Sequence, residues 1–423
     1  MFYKETNFKE TPIGKIPKDW KLVKFSNIAE DIYYGITAKA VENKTGLKML
    51  RTTDIKDYSV DWDSLPFCEI TEKRGDIQRF LLKNGDLIIA RAGTTGVSVL
   101  VEKDFENVIF GSYLIKVRLS RKVHSKFVRY FCQSCLYWDH ITSGQAGSTL
   151  KNISLPILKS LNIPLPSLVE EQQKIAEILS TLDEAIQKTD EIIAQTERLK
   201  KGLMQELLTK GIGHKEFKET EIGRIPKEWE VIRLGDDKIA EIRGNKVISD
   251  IQKVAFIPME LVPDQGTFVN YEIRDLKDVS SSTYCEAGDL LLAKITPSLE
   301  NGKQGIVPED IPNGFALATT EVYPIVCKGI DKLFLFYLLK FPRFRKILEF
   351  SMRGTTGRQR VPKDAVEKLK IPLPSYQEQK RIAEILSTFD KKLEIERNEK
   401  ARLERIKQGL MDLLLTGKIR VKI

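Results

Sequence analysis

The sequence predicts an α+β protein built as a pseudo-twofold tandem repeat. Two globular α/β-mixed domains are expected, separated by two long antiparallel coiled-coil helices. Three observations predict this class. Long segments recur about 208 residues apart. Each repeat closes with a helical stretch whose apolar residues follow a heptad period. The segment before that stretch contains short β-rich runs separated by glycine turns.

The repeat is clearest at the beginning and end of each copy. FKETPIGKIPKDWKLVKF at 8–25 recurs as FKETEIGRIPKEWEVIRL at 217–234, and IPLPS recurs at the start of each helical stretch. A period this long indicates duplicated domains rather than a solenoid. We therefore expect globular domains at 1–165 and 211–373, and long helices at 166–210 and 374–423.

The two helical stretches carry apolar residues in alternating steps of three and four, which is the 3.5-residue period of a coiled-coil seam. Two repeats of one chain pack most simply about a pseudo-twofold axis, so the helices are predicted to run antiparallel. Both seams become polar in the middle, where a register-fixing role and a plain polar-centred helix pair are both open. The predicted pairing residues are Ile175, Leu179, Leu182, Ile186, Ile193, Leu199, Leu203, Ile382, Leu386, Phe389, Leu393, Leu403, Ile406 and Leu410.

The mixed segments are predicted to contain strands at GDLIIARAG and SYLIKVRLS and a helical stretch at 125–141, with a counterpart at 332–348. They align with each other only in fragments, such as Gly35 opposite Gly244. A duplicated frame that carries two divergent domains indicates one scaffold function and two different recognition tasks.

The composition favours a polyanionic partner, because the net charge is +9 and the pI is near 9.0. No apolar run approaches the length of a membrane span, and the N-terminus lacks a signal core, so a cytoplasmic protein without a membrane partner is expected. Cys132 and Cys135 form a C-x-x-C motif near His124 and His140. A zinc site is one interpretation, but a helix with two small apolar cysteines is simpler, because no second C-x-x-C pair is present.

Taken together, the duplicated IPLP…Q…IAEIL helices, the GDLIIARAGTTG run and the two-unit layout resemble the specificity subunits of Type I restriction-modification enzymes. The resemblance covers essentially the whole chain. It implies two target-recognition domains, each reading one half of a split, asymmetric site in double-stranded DNA. It also implies that the helices set the distance between the half-sites and dock methyltransferase subunits.

The same resemblance implies that this chain is not an enzyme and needs no cofactor of its own. S-adenosylmethionine would belong to the methyltransferase subunits, and ATP and Mg²⁺ to the restriction subunits. The chain indeed lacks a G-x-x-x-x-G-K-[ST] phosphate loop and an N-P-P-Y or D-P-P-Y tetrad.

Two other functions remain open from the residues alone. Pro263-Asp264 followed by Asp275 and Lys277 fits the loose spacing of magnesium-dependent nucleases, although the first repeat has no matching Pro-Asp pair. A helical scaffold that binds no DNA is the third possibility. Metal-dependent cleavage would identify the nuclease, and a lack of sequence preference would favour the scaffold.

Contacts to DNA are expected from loops that combine basic side chains with threonine, serine, asparagine or glutamine. The loop RGTTGRQR is the best candidate, and YYGITAK is second because its adjacent tyrosines have no obvious partner on an exposed turn. Replacing Arg358 or Arg360 by alanine should weaken DNA binding by the second domain alone. The candidate contacts are Lys39, Arg91, Thr94, Thr95, Gln145, Ser148, Thr149, Lys151, Arg243, Asn245, Lys246, Arg353, Thr355, Thr356, Arg358, Gln359 and Arg360.

Overall fold

The computed structural model describes residues 2–42, 46–71, 77–145, 152–248, 251–355 and 357–423. The chain forms two compact units. Unit 1 comprises Met1–Lys188 and Lys400–Ile423, and unit 2 comprises Thr189–Glu399. Each unit therefore contains part of both long helices, a division that differs from the four consecutive segments expected from the sequence.

The strands of unit 1 before the first long helix are β1 Phe2–Lys4, β2 Phe8–Lys9, β3 Ile16–Pro17, β4 Lys21–Lys24, β5 Ala29–Tyr34, β6 Ala38–Val41, β7 Lys48–Leu50, β8 Ile55–Lys56, β9 Ser59–Val60, β10 Phe67–Ile70, β11 Asp86–Ala90, β12 Ser98–Leu100, β13 Val108–Phe110, β14 Leu114–Leu119 and β15 Asn162–Leu165. The strands of unit 2 are β16 Phe217–Lys218, β17 Ile225–Pro226, β18 Glu230–Arg233, β19 Ala240–Ile242, β20 Lys253–Ile257, β21 Glu272–Asp275, β22 Thr283–Glu286, β23 Leu290–Ala293, β24 Gln304–Ile306, β25 Phe315–Ala318, β26 Val322–Cys327 and β27 Lys370–Leu373. Unit 1 ends with strand β28, Ile419–Val421.

The α-helices are α1 Phe25–Ile28, α2 Ser125–Phe131, α3 Cys135–Gly144, α4 Leu155–Ser160, α5 Val169–Lys210, α6 Lys332–Lys340, α7 Pro342–Phe350, α8 Lys363–Glu367 and α9 Tyr376–Leu414. Short 3-10 turns lie at Thr52–Asp54, Ile77–Phe80, Met259–Leu261, Leu276–Asp278 and Pro312–Gly314. Among the helices in the described part of the chain, none is both long enough and apolar enough to cross a membrane.

In the described part of the chain, each unit contains one antiparallel and one mixed four-stranded sheet. The antiparallel sheet has the order β12-β11-β14-β5 in unit 1 and β24-β23-β26-β19 in unit 2. The mixed sheet contains one parallel pair, β7 with β13 in unit 1 and β20 with β25 in unit 2. The antiparallel sheets of the two domains therefore share a strand order. The mixed sheets differ, because the parallel pair lies at the edge of the sheet in unit 1, β13-β7-β10-β6, and in its centre in unit 2, β21-β20-β25-β22.

The repeated segments lie side by side in each unit, which explains why they recur together. Trp20 and Trp229 of the repeated IGxIPxxW motif are 0% and 1% exposed. The strand after each tryptophan pairs with the IPLP strand, β4 with β15 and β18 with β27. Burial of one such tryptophan contributes a large apolar area to the core of its unit.

The predicted helical stretches at 125–141 and 332–348 are helical, but each is broken into two helices. In unit 1 the break follows Cys132, and the Ser134 hydroxyl accepts a hydrogen bond from the amide of Tyr137 at the start of α3. In unit 2 the break lies at Phe341, and Pro342 occupies the first position of α7. N-cap serine and first-turn proline are both favourable helix starts, so two short helices replace one long one.

Within each unit the two long helices run antiparallel. In unit 1 Lys407 lies 2.7 Å from Asp183, and Arg420, just beyond α9, pairs with Glu171 near the start of α5. In unit 2 the Glu197 carboxylate accepts a hydrogen bond of 2.6 Å from Arg397. Residue numbers rise along one helix as they fall along the other, as the sequence predicted.

The predicted seam residues differ in burial, and two of them do not lie in the seam. Leu199 is 54% exposed and Ile406 is 39% exposed, so their assignment to the helix pair is wrong. The next residues, Lys200 and Lys407, turn inward instead to reach carboxylates on the opposite helix. The residues buried in the unit cores or the helix pair are Ile175, Leu179, Ile382, Leu386 and Leu393, and the half-buried ones are Leu182, Ile186, Ile193, Leu203, Phe389, Leu403 and Leu410.

Candidate nucleic-acid interface

Three side chains lie at one edge of the antiparallel sheet of unit 1, where β5 and β11 end and β14 begins. Tyr34 is the last residue of β5 and pairs with Ile115, while Arg91 follows β11 and Tyr113 precedes β14. The Arg91 amide donates to the Tyr113 carbonyl over 2.9 Å, and the Arg91 carbonyl accepts from the Ile153 amide over 2.9 Å. These backbone bonds fix Arg91 at the sheet edge.

The Arg91 side chain is held by stacking rather than by a carboxylate. Its guanidinium carbon lies 4.2 Å from the centre of the Tyr34 ring, and the Tyr34 hydroxyl accepts from the Leu155 amide over 3.2 Å. Among the described residues the Arg91 side chain has no hydrogen-bond or ion-pair partner, and its Nε atom is buried. A stacked guanidinium whose donors are unused is suited to bind a phosphate or a guanine edge.

The turn after Arg91 packs against α3, because the Tyr137 hydroxyl donates to the Gly96 carbonyl over 2.8 Å. On this turn Thr94 is exposed, and the Thr95 hydroxyl donates to the Gly93 carbonyl. Gln145 directly follows α3, and its buried amide nitrogen has no hydrogen-bond partner among the described residues. Ser148, Thr149 and Lys151 lie outside the described residues.

The segment YYGITAK is not an exposed turn, so that interpretation is wrong. Tyr33 and Tyr34 belong to β5 and are half-buried, and Tyr33 packs beneath Arg79 at 4.4 Å. Only the end of the segment is open to solvent. Lys39 is exposed on β6, in the mixed sheet, opposite Glu69.

The corresponding edge of unit 2 carries a basic hairpin. Arg353 and Arg360 exchange two backbone hydrogen bonds of 2.9 Å, and the Thr296 amide donates to the Gln359 carbonyl over 3.0 Å. The hairpin is thereby attached to the residues that follow β23. Thr355 is exposed at its tip and Gln359 is half-buried, whereas Thr356 lies outside the described residues.

The arginines of this hairpin are not equivalent. Arg360 forms two hydrogen bonds with the Glu321 carboxylate, of 2.9 and 2.7 Å, and this pairing holds the pKa of Glu321 below its usual range. Arg353 and Arg358 are exposed, and neither side chain has a hydrogen bond or ion pair in the described part of the chain. Arg353 and Arg358 therefore have their donors available to DNA, whereas Arg360 already stabilises the hairpin.

The segment after β19 is largely engaged within unit 2. Arg243 binds Asp289 through hydrogen bonds of 2.6 and 2.9 Å and lies 3.0 Å from Glu286. The Asn245 side-chain carbonyl accepts from the Tyr284 amide over 3.0 Å. These contacts give Arg243 and Asn245 a structural role, and their DNA contacts stay predictions.

The third candidate of that segment, Lys246, is exposed. Its ammonium group lies 5.3 Å from the centre of the Tyr284 ring. Such a cation–π contact at an exposed site is weak, so Lys246 keeps its charge available to a phosphate.

We expect Arg358→Ala to weaken binding to every duplex DNA sequence, because it removes one phosphate-neutralising charge. The slope of log K against log salt concentration should fall by about 0.9. Fluorescence anisotropy with labelled duplexes at several salt concentrations measures both quantities. Lys238→Ala is the matched control. Lys238 is exposed just before β19 and Arg243 directly follows that strand, so Lys238 lies at the opposite end of the antiparallel sheet from the hairpin that carries Arg358. An unchanged affinity and slope for Arg358→Ala would contradict the assignment.

The residues of the nuclease pattern do not come together. Asp275 pairs with Lys253 at the first residue of β20, whereas Asp264 follows the turn beyond the last residue of that strand. At about 3.3 Å per residue, β20 alone separates these positions by about 13 Å. The Asp264 carbonyl, not its carboxylate, accepts a hydrogen bond from Lys340.

The C-x-x-C cysteines have different surroundings. Cys132 is buried in the apolar core of unit 1, and burial raises the pKa of its thiol. Cys135 is exposed, and its Sγ atom lies 3.0 Å from the Asp412 carboxylate. Among the described residues no three histidine, cysteine or acidic side chains form a group that could hold a metal ion.

Sequence reasoning missed a polar contact that occurs once in each unit. In unit 1 the Tyr130 hydroxyl donates to Asp183 over 2.7 Å, and Asp183 also pairs with Lys407. In unit 2 the same three residue types, Tyr337, Asp390 and Lys200, form the same cluster. We call these the Tyr-Asp-Lys clusters. The signal was available, because each residue type recurs at an offset of 207 in the sequence.

Comparison with known proteins places the chain in a family. The model of the Type I restriction modification DNA specificity domain matches twice, at residues 17–198 and 226–405. The chain is 32% identical to the putative type I restriction enzyme MjaX specificity subunit of Methanocaldococcus jannaschii, over 100% of this chain and 99% of that protein. It is 31% identical to the MjaVIII specificity subunit of the same organism, over 100% and 98% of the two chains.

A solved structure has a similar fold at low sequence identity. The S subunit of a Type-I restriction-modification system from M. genitalium gives a TM-score of 0.59 with 18% identity, covering 98% of this chain and 100% of that chain. Because the family model covers most of the sequence and the archaeal relatives match it end to end, the chain belongs to the family of type I restriction-modification DNA specificity subunits.

Proposed function

We propose that this chain is the sequence-specific DNA-recognition subunit of a type I restriction-modification complex. Each unit binds one half of a bipartite, asymmetric DNA site. The long helices set the distance between the half-sites and dock the methyltransferase subunits. Family membership supports the DNA-specificity role, and the two-unit structure supports the division into half-sites.

The observation that carries this proposal is that the antiparallel sheets of the two units have the same strand order but carry chemically different groups at the corresponding edge. Unit 1 presents Arg91 beside the tyrosines Tyr34 and Tyr113. Unit 2 presents a hairpin with exposed arginines and a Glu321–Arg360 ion pair. Because base edges are read by the identity and position of such groups, two different edges favour two different half-sites rather than a palindrome.

The charge balance supports a DNA partner. A net charge of +9 favours association with a polyanion through counterion release. On this proposal the chain is not an enzyme. The methyltransferase subunits would bind S-adenosylmethionine, the restriction subunits would bind ATP and Mg²⁺, and this chain would bind none of them.

The decisive experiment is a selection from random-sequence duplex DNA by this chain, co-purified with the methyltransferase subunit of its own system. We expect two different short motifs at a fixed separation. Lengthening both long helices by whole turns should then lengthen the gap between the motifs. A single palindromic motif, or no enrichment, would contradict the proposal.

Two further measurements test the two other functions. Magnesium-dependent cleavage of DNA by the purified chain alone would favour the nuclease. Binding of the methyltransferase subunit without any DNA enrichment would favour the scaffold.

A further inference from the structure

Arg91 and Lys294 occupy the same place in their respective units. Each is the first residue after the equivalent strand of the antiparallel sheet, β11 or β23. The Lys294 amide donates to the Glu321 carbonyl over 3.0 Å, and its carbonyl accepts from the Val361 amide over 2.8 Å. Arg91 makes the same two backbone contacts, with Tyr113 and Ile153.

Both residues also hold their charge over a tyrosine ring. The Lys294 ammonium lies 4.7 Å from the centre of the Tyr323 ring, as the Arg91 guanidinium lies 4.2 Å from that of Tyr34. The tyrosines come from different strands, β26 and β5, so the stacked arrangement is not a simple copy of one sequence motif. Among the described residues neither cation has a side-chain hydrogen bond or ion pair.

We propose that Arg91 and Lys294 are equivalent specificity-determining residues, and that the exchange of arginine for lysine makes the two units differ in how strictly they select guanine at one position of their half-sites. The assignment rests on the DNA-recognition function proposed above and adds the residues that distinguish its two halves.

The chemistry of the two side chains gives this exchange a direct consequence. A guanidinium can donate two parallel hydrogen bonds to the O6 and N7 atoms of guanine, and stacking on a tyrosine fixes the plane of that fork. An ammonium is a compact charge on a flexible stem and discriminates less by geometry. Arg91 should therefore specify guanine more strictly than Lys294 does.

The neighbours of the two cations strengthen the difference. At the position of Tyr113, which is 65% exposed in unit 1, unit 2 carries Glu321. The Glu321 carboxylate binds Arg360 and also attracts the Lys294 charge, while burial, the larger effect, lowers the pKa of Lys294. The charge at the unit 2 position is thus partly compensated, and no carboxylate compensates that of Arg91 among the described residues.

Exchanging the two side chains tests the proposal while conserving charge. In selections from random duplexes, Arg91→Lys should relax one guanine position of the first half-motif by about tenfold and leave the second half-motif unchanged. Lys294→Arg should increase guanine preference at one position of the second half-motif. The salt dependence of binding should stay that of the wild type in both variants, because the number of charges is the same.

Alanine variants and matched controls complete the design. Arg91→Ala should relax the same position as Arg91→Lys, and Arg121→Ala, at the opposite end of β14, should relax none. Hydrogen exchange measured by mass spectrometry confirms that each variant remains folded. Unchanged motifs in Arg91→Lys, Arg91→Ala and Lys294→Arg would overturn the assignment while the wild-type bipartite motif stands. Failure of the wild type to select two motifs would instead reject the proposed function.

Discussion

Replacing Arg420 by methionine is expected to lower the free energy of unfolding of unit 1 by about 3–5 kcal/mol, because it leaves a buried carboxylate without a cation. Glu171 is 1% exposed and binds the Arg420 guanidinium. The same guanidinium donates to Glu5 over 2.8 Å and to Asp19 over 3.0 and 2.9 Å. One side chain on β28 thus joins the N-terminal segment to the start of α5.

Hydrogen exchange measured by mass spectrometry checks this prediction, because it reports the opening of unit 1 peptides separately from those of unit 2. Arg420→Lys should show an intermediate loss, since lysine keeps the charge but cannot bind all three carboxylates as the planar guanidinium does. Lys422→Met is the matched control. Lys422 is exposed two residues further along, and its substitution should change stability by less than about 0.5 kcal/mol. Wild-type protection in Arg420→Met would refute the prediction.

The same cluster should make unit 1 sensitive to acid. Hydrogen bonds from the amides of Asn7 and Thr6, and from Arg420, hold the pKa of Glu5 below its ordinary value of 4.5. Arg420 holds the pKa of Asp19 below 3.8. For carboxylates with depressed pKa values, the stabilisation is complete above about pH 5 and is lost as the pH falls through the folded-state pKa values. The difference between wild type and Arg420→Met should therefore shrink below about pH 4.

The duplicated frame could be predicted from the sequence because the same residues form it twice. Trp20 and Trp229 pack beside the IPLP strands in both units, and their spacing is unchanged between the copies. Which arginines bind a carboxylate of the same chain could not be predicted in the same way. Arg243 and Arg360 bind carboxylates that lie 46 and 39 residues away in the sequence. Only the folded chain brings those groups together.

The helix seam shows a second limit of sequence reasoning. The heptad pattern places Leu199 and Ile406 in the seam, because burial of apolar side chains is the usual source of helix pairing. Lys200 and Lys407 lie in the seam instead, since each finds an aspartate on the opposite helix and a tyrosine from the adjoining domain. The aliphatic stem of a lysine can pack in such a seam, and the aspartate and tyrosine offset the cost of withdrawing its ammonium group from water.

Removing the aspartate of the Tyr-Asp-Lys cluster in unit 2 is also expected to lower stability strongly. We expect Asp390→Ala to lower the free energy of unfolding of unit 2 by about 3 kcal/mol, since charged hydrogen bonds of this kind contribute about 1.5–3 kcal/mol each. Asp390 accepts a 2.6 Å hydrogen bond from the buried Tyr337 hydroxyl and pairs with Lys200. Burial and the Asp390 charge both raise the pKa of Tyr337, so the hydroxyl stays protonated and donates.

The equivalent substitution in unit 1, Asp183→Ala, should cost less. Asp183 is 28% exposed, compared with 16% for Asp390, and the Tyr130 hydroxyl retains Ser180 at 3.1 Å as a second partner. Hydrogen exchange of the two units measures both losses in the same way. Equal losses in the two units would contradict the argument from burial.

Loss of the Asp390 charge should also have a distinctive pH dependence. Burial, and then the charge of Lys200, lower the pKa of Lys340 to about 8, and Asp390 opposes that shift. A lysine whose folded-state pKa is depressed destabilises the fold fully below that pKa, and the penalty fades as the pH rises from about 8 towards its ordinary value. The deficit of Asp390→Ala relative to wild type should therefore be smaller at pH 9 than at pH 7.

Two further variants separate the effect of charge from that of geometry. Asp390→Asn keeps an acceptor for Tyr337 and should lose less stability than Asp390→Ala. Glu394 is an exposed acidic residue one turn further along α9, and Glu394→Ala should lose almost no stability.

Because each Tyr-Asp-Lys cluster joins a helix of the globular domain to both long helices, its loss should loosen the position of that domain along the helix pair. In DNA selections the double variant Asp183→Ala, Asp390→Ala should then accept more than one separation between the two half-motifs, whereas the wild type accepts one. A single, unchanged separation in the folded double variant would limit the clusters to a role in stability.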